Sequence, residues 1–166
     1  MNIRNKICLI TGGAGFIGSN LANKLSEKNK VIIVDNLSNG NLQNLKKNKN
    51  LKFYNLDVRN IKRISNKLKK VDYVFHLAAL TSVEQSLSQP GKYYEHNVDT
   101  TQELIQFIKH FKIKKVLYAA SASCYGKNKK LLKENSFIDC ISPYAKTKWV
   151  SEQLLMRSLK NFKIPF

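Results

Sequence analysis

Residues 7–18, Ile-Cys-Leu-Ile-Thr-Gly-Gly-Ala-Gly-Phe-Ile-Gly, constrain the fold more than any other stretch. Ile7 to Ile10 is a short apolar run that suits a buried strand. Thr11 to Gly15 is a glycine-rich turn. Phe16, Ile17, Leu21 and Leu25 then recur at helical spacing, which predicts a helix. Gly13, Gly15 and Gly18 give G-x-G-x-x-G, and Gly12, Gly15 and Gly18 give G-x-x-G-x-x-G. The reason for glycine is steric: the turn is tight, a pyrophosphate must come close to the backbone, and the helix must pack close to the strand. The helix start offers free N–H groups and a positive dipole end to phosphates. A bland tight turn has the same composition. The strand before, the helix after and an acidic residue ending the next strand favour the phosphate-binding reading.

The rest of the chain repeats the strand–helix alternation. Val31 to Val34 reads as a second strand, ending at Asp35. A polar loop, Asn36-Leu37-Ser38-Asn39-Gly40, follows, with a short helix expected over Asn41 to Lys47. Leu51 to Leu56 is the third strand, Ile61 to Leu68 a basic, exposed helix, and Val71 to Leu77 the fourth strand. After a loop at Gln89-Pro90-Gly91, Tyr93 to Phe111 predicts a long helix with Val98, Ile105 and Ile108 on one face. Lys115 to Ala120 is the fifth strand, and Ser121 to Ile141 a loop. Ser142 caps a last helix with Pro143 at its first position. Asn161 to Phe166 reads as the start of a sixth strand. Such alternation predicts an α/β fold, a doubly wound parallel sheet of Rossmann-like type, in one domain over residues 1–166.

Composition narrows the function classes. The 166 residues are 43% hydrophobic, enough for one globular domain with a core. The longest apolar run, near Tyr73 to Leu80, is too short to span a bilayer, so no membrane insertion is expected. No signal-peptide pattern precedes the glycine turn. Cys8, Cys124 and Cys140 are widely spaced with no C-x-x-C, which argues for reduced thiols and a cytoplasmic protein. His76, His96 and His110 lack metal-ligand spacing, so no metal site is expected. The net charge of +18 raises the question of polyanions. The lysines are scattered, many beside asparagines, and no nucleic-acid motif accompanies them, so no specific nucleic-acid binding is expected.

Three features carry chemistry. Asp35, ending the second strand, would accept hydrogen bonds from an adenosine ribose and repel a 2′-phosphate, which favours NAD over NADP; an Asp capping a turn is the alternative. Tyr144 and Lys148 stand one helical turn apart on one face. A free phenol, with pKa about 10, is a poor base at neutral pH. A nearby ammonium and the positive end of a helix both favour its phenolate. Ser121 lies at the end of the fifth strand, where active groups of such sheets gather. A hydroxyl there can donate to and accept from a reacting oxygen, or simply bond within a Ser-rich loop. Cys124 has no basic partner in view and reads as a buried filler rather than a nucleophile.

Gly12 to Gly18, Val34-Asp35-Asn36, Leu56-Asp57-Val58, His76-Leu77-Ala78-Ala79, Asn97-Val98, Ser121 to Gly126 and Tyr144 to Lys148 occur in this order along essentially the whole chain. Together they resemble the extended short-chain dehydrogenase/reductases, the NAD-dependent epimerase/dehydratase family acting on nucleotide sugars. Ala79 to Val83 and Tyr118 to Ser123 are most similar to its UDP-glucose and UDP-N-acetylglucosamine 4-epimerases. The resemblance implies that Gly12, Gly15, Phe16 and Ile17 hold the pyrophosphate of NAD. Asp35, Asn36, Ser38 and Gly40 would surround the adenosine ribose, and Asp57 with Val58 the adenine. Leu77, Ala78, Ala79 and Thr81 would line the nicotinamide-ribose side, supported by Asn97. Ser121, Tyr144 and Lys148 would be the catalytic trio, with Lys148 also on the nicotinamide ribose. Ser82 and Ser123 would face the sugar, beside Ser121 and Tyr144.

A departure narrows the reaction. The family's 4,6-dehydratases follow their catalytic Thr with Asp-Glu, and its decarboxylases keep a Glu in that region. Ala122 and Ser123 stand there instead, so oxidation and re-reduction of a UDP-sugar at C4, through a 4-keto intermediate, fits better than water elimination. The implied setting is surface polysaccharide synthesis. The resemblance also implies further strands and a C-terminal substrate lobe, which these 166 residues do not contain. The chain alone is therefore expected not to epimerise a nucleotide sugar at a useful rate. A catalytically inactive NAD-binding remnant, or half of a split enzyme needing a complementing C-terminal chain or a homodimer, is the alternative.

Overall fold

Five parallel strands form one sheet in the order β3-β2-β1-β4-β5: β1 Ile7–Thr11, β2 Lys30–Asp35, β3 Leu51–Asn55, β4 Tyr73–His76 and β5 Lys115–Tyr118. The computed structural model describes residues 3–128 and 131–166. Of the loop expected over Ser121 to Ile141, Lys129 and Lys130 lie outside the described residues. The register pairs Leu9 with Ile32 and with Val74, and Val74 with Val116.

Strand alternation splits the core in two, because successive side chains point to opposite faces. On one face Leu9, Ile32, Val34, Val74 and Val116 pack against Leu104, Ile105 and Ile108 of a long helix and Leu155 and Leu159 of the last one. On the other, Cys8, Ile10, Val31, Ile33 and Phe75 meet Ala22, Leu21 and Leu25 of helix α1, Phe16–Ser26. Near-continuous apolar strands covered on both faces are what a parallel sheet requires.

The connections hold the differences from expectation. Val58–Lys67 is a 310 helix with Val58, Ile61 and Ile64 buried. That burial follows a period of three, the 310 repeat, so the segment is half-inserted rather than exposed. Asn41 to Lys47 holds only a 310 turn at Leu42–Asn44. The segment after β4 contains two short helices, α2 Val83–Ser88 and α3 Pro90–Tyr94. From α3 the chain passes through a π turn, Glu95–Asp99, into α4, Thr100–Ile108. The expected long helix thus begins earlier, at Pro90, and carries an irregular turn in its middle. Helix α5, Pro143–Asn161, starts as expected, with Ser142 Oγ accepting from the Ala145 N–H at 3.1 Å and Pro143 in the first turn.

Strands β3, β4 and β5 are also shorter than expected, and the last expected strand is missing. β5 stops at Tyr118, so Ser121 lies beyond the strand and opens a 310 turn at Ala122–Tyr125. The tail after α5 forms no strand. It does run along the outer edge of β5, where the Val116 N–H donates to the Pro165 carbonyl at 2.9 Å. Among the described residues, no helix is long and apolar enough to cross a membrane.

Candidate active site

A cleft of about 460 Å³ opens at the carboxyl ends of the strands, between β1 and β4, where the strand order reverses. Its walls come from the glycine turn, the ends of β2 and β4, and the first turns of α5.

Gly12 carries φ +70°, and a Cβ there would lie 2.6 Å from the Ala78 nitrogen, so the turn is pressed against the segment leaving β4. A Cβ on Gly18 would collide with the Gly12 carbonyl, which makes this glycine the point of close helix–strand packing. Gly15 differs. A Cβ there would meet only the Gly12 carbonyl, at 3.5 Å, in ordinary contact. The protein itself does not need glycine at 15, and the open space belongs to the cleft, which Gly15 lines. That space, beside the uncapped start of α1 with no acidic residue in its first turn, fits a pyrophosphate.

Asp35, buried at the end of β2, is locked in place. One carboxylate oxygen accepts from the Ala14 N–H at 2.9 Å and the other from the Leu37 N–H at 2.8 Å. It therefore ties the glycine turn to the following loop, while its edge faces the cleft with Asn36, Ser38 and Gly40. Asn36 Nδ2 donates to Asp57 Oδ2 at 3.1 Å. Burial pulls the Asp57 carboxyl upward, but hydrogen bonds from the Arg59 side chain and backbone, the guanidinium charge and Asn36 outweigh it and hold the pKa at about 2. Arg59 also reaches Glu95 at 3.6 Å.

The opposite wall is built from Leu77 to Thr81. Asn97, in the π turn, clamps this segment. Its Oδ1 accepts from the Leu80 N–H at 2.8 Å, and its Nδ2 donates to the Leu80 carbonyl at 3.1 Å and to Thr147 Oγ1 at 3.0 Å. One side chain therefore joins the wall to α5. The irregular turn places it there, as π turns often do near functional sites.

Tyr144 and Lys148 both line the cleft from α5. The Tyr144 ring meets the buried Tyr93 ring edge-on, with centroids 6.5 Å apart. Lys148 is 3% exposed, and its Nζ sits 4.0 Å from the centroid of the Tyr118 ring. Burial pushes the Lys148 pKa down to about 8, against a smaller upward pull from Cys124 and Glu152. Burial likewise raises the Tyr118 phenol, so it stays neutral.

All the residues expected around a dinucleotide line this cleft except Asn97, which lies behind it. The serines expected to face the sugar, Ser82, Ser121 and Ser123, do not. Ser121 and Ser123 bond to each other, Oγ to Oγ at 2.7 Å, beside the lining residues Ala119 and Ala120. Ser82 caps α2, accepting from the Gln85 N–H at 3.1 Å. Cys124 is buried, with its thiol pushed up to about 12 by burial. Tyr118, Tyr93, Thr11 and Thr101 were not legible as site residues, because their roles come from stacking and from bonds between distant strands and helices. Among the described residues, no group of three His, Cys, Asp or Glu side chains is placed to hold a metal ion.

The chain is similar to known nucleotide-sugar enzymes. The chain is 35% identical over 95% of its length to dTDP-D-glucose 4,6-dehydratase of Dictyostelium discoideum, covering 41% of that protein. It is 34% identical over 89% of its length to UDP-glucose 4-epimerase of Lactobacillus helveticus, covering 45% of that one. The structure of UDP-N-acetylglucosamine 4-epimerase from Methanobrevibacter ruminantium M1, in complex with UDP-N-acetylmuramic acid, superposes with a TM-score of 0.92 at 38% identity, over 98% of this chain and 53% of that one. UDP-glucose 4-epimerase from Brucella ovis, in complex with NAD, gives 0.87 at 29% identity, over 96% and 49%. The chain spans about half the length of these relatives. With its sequence pattern matched over residues 8–166, this chain belongs to the NAD dependent epimerase/dehydratase family.

Proposed function

We propose that this chain is the NAD-binding and catalytic part of a nucleotide-sugar 4-epimerase. The observation that carries the reading is the joining, in one cleft, of the open glycine turn, the fixed Asp35 carboxylate and the Tyr144–Lys148 pair. Held by the glycine turn and Asp35, NAD would supply the hydride acceptor and donor needed at C4 of the sugar. The residues of the chain supply the rest. Tyr144 would take the proton from the 4-hydroxyl as the 4-keto sugar forms and give it back on return. Lys148, buried on the same helix face one turn away, would stabilise the phenolate by its charge and hold the nicotinamide ribose. Ser121, with its hydroxyl shared with Ser123, would turn to hold the 4-oxygen, with Ser82 and Ser123 toward the sugar. Asp35 would bind the adenosine ribose through its hydroxyls and disfavour a 2′-phosphate. The substrate class is a UDP-sugar, as in the similar epimerases. The positions Ala122 and Ser123 lack the carboxylates that an elimination would use as acid and base, which favours epimerisation over dehydration.

The test is a chimera in which residues 1–166 replace the matching part of the Methanobrevibacter ruminantium epimerase. NMR of UDP-N-acetylglucosamine should show its 4-epimer appearing, and Tyr144→Phe should slow this by at least about 10²-fold. A folded, NAD-loaded chimera that leaves the sugar unchanged, or a Tyr144→Phe variant with undiminished turnover, would contradict the reading.

A further inference from the structure

A buried chain of polar groups runs behind the cleft, and the roles proposed so far leave most of it unused. Its centre is His76, the last residue of β4, which is 1% exposed. His76 Nδ1 lies 2.7 Å from Thr11 Oγ1, and Nε2 lies 2.9 Å from Thr101 Oγ1. The direction of each bond follows from counting hydrogens. Thr101 donates its one hydroxyl hydrogen to the Asn97 carbonyl at 2.7 Å, so toward His76 it can only accept. Nε2 must therefore carry a hydrogen. Burial first, and the Lys148 ammonium second, keep the ring neutral, with its pKa pushed down to about 3. Nδ1 is then bare and accepts from the Thr11 hydroxyl. The free lone pairs of Thr11 meet the Ala78 N–H at 3.4 Å. Every donor points the same way, from Ala78 through Thr11, His76 and Thr101 to Asn97.

The chain starts on the Leu77–Thr81 wall of the cleft and ends on Asn97, which ties that wall to α5. Ala78 belongs to the nicotinamide-side wall, and Asn97 clamps Leu80 of the same wall. The Asn97 carbonyl also accepts from Ser151 of α5 at 3.0 Å, and its amide donates to Thr147. Thr147 and Ser151 lie one place before and three places after Lys148. The His76 ring further stacks on Tyr118, at 5.4 Å between centroids, and Tyr118 carries Lys148 on its ring.

We propose that His76, held as its Nε2–H tautomer between Thr11 and Thr101, is a positioning residue that fixes the Leu77–Leu80 wall against the helix bearing Tyr144 and Lys148. The meaning of that alignment rests on the function proposed above; the network does not. Because all donors share one sense, no member can reverse alone. Buried networks of this kind specify one arrangement when every member is satisfied.

The experiment uses the isotope-labelled chain. Long-range ¹H–¹⁵N spectra of the His76 ring should show the neutral Nε2–H form throughout the range between about pH 5 and 8, in which an unperturbed imidazole titrates. In Thr101→Val the Ala78 and Leu80 amide signals should move and the NAD dissociation constant should rise about tenfold. Thr101→Ser should restore both. An Nδ1–H tautomer, a ring that protonates in that range, unmoved amide signals in folded Thr101→Val, or no recovery in Thr101→Ser would each overturn the proposal. Should Thr101→Val fail to fold, the tautomer of the unaltered chain decides. The ring and amide signals are read without cofactor. Failure of the unaltered chain to bind NAD would therefore count against the proposed function and leave this test intact.

Discussion

Lys148 and Tyr118 form a stacked pair, with the ammonium nitrogen 4.0 Å from the ring centroid. The contact explains how a lysine only 3% exposed is accommodated at the base of the cleft. The ring face offers partial compensation for lost water, but does not outweigh burial, which lowers the Lys148 pKa from 10.5 to about 8.

The shift has a stability consequence with a definite sign. Between pH 8 and 10.5 the unfolded chain holds a proton on Lys148 that the folded chain has lost, so this residue makes stability rise with pH across that window. Below it, the buried charge costs the fold its full penalty. Lys148→Met should therefore be more stable than the parent at pH 7, by at most a few kcal/mol, with the difference shrinking as pH approaches the upper limit. Urea unfolding of both proteins across the window checks this. A constant difference would show that Lys148 titrates at its ordinary value.

Two glycines of one turn should respond differently to the same change. Gly12→Ala puts a Cβ against the Ala78 backbone at φ +70° and should cost about 2 kcal/mol or more. Gly15→Ala meets nothing closer than 3.5 Å and should leave stability within about 0.5 kcal/mol. It should nevertheless weaken NAD binding about tenfold or more, because the added methyl occupies the cleft. Thermal unfolding and cofactor titration separate the two. A Gly15→Ala protein that binds NAD normally would remove the pyrophosphate from this turn.

Thiol reactivity should follow exposure. Cys8 and Cys124 are buried, with their pKa values pushed up by burial to about 11 and about 12. Cys140 is half-buried, and burial raises its thiol as well. Since the thiolate is the reactive form, all three should alkylate slowly at neutral pH, Cys140 first. Peptide mass spectrometry after brief iodoacetamide treatment reads the order. Early modification of Cys124 would point to a reactive thiol beside the cleft.

Much of this was legible from local pattern. The glycine turn, Asp35 at a strand end, the Ser142–Pro143 helix start and the Tyr144–Lys148 spacing are short-range signals, and each falls where its pattern puts it. Other features lack such a signal. Helix α2 is six residues whose apolar pair, Val83 and Leu87, is exposed, so neither the helix nor the capping bond of Ser82 shows in the pattern. Ile61 and Ile64 obey a 310 period amid lysines and arginine, which hides their burial. The π turn at Glu95–Asp99 leaves the apolar face of the long helix readable but conceals why Asn97 points at Leu80. The His76 network joins residues 11, 76 and 101, on two strands and a helix, and only the strand order brings them together.

Calorimetric titration of the chain with NAD⁺ and NADP⁺ at matched ionic strength shows directly whether this cleft is an NAD site. The net charge of +18 would by itself favour NADP⁺, the more negative ligand, so a preference for NAD⁺ must come from local chemistry at Asp35. NAD⁺ should bind saturably and at least about tenfold tighter than NADP⁺, with the preference lost in Asp35→Asn. Equal or tighter binding of NADP⁺, or no binding of either by a folded chain, would contradict an NAD site here.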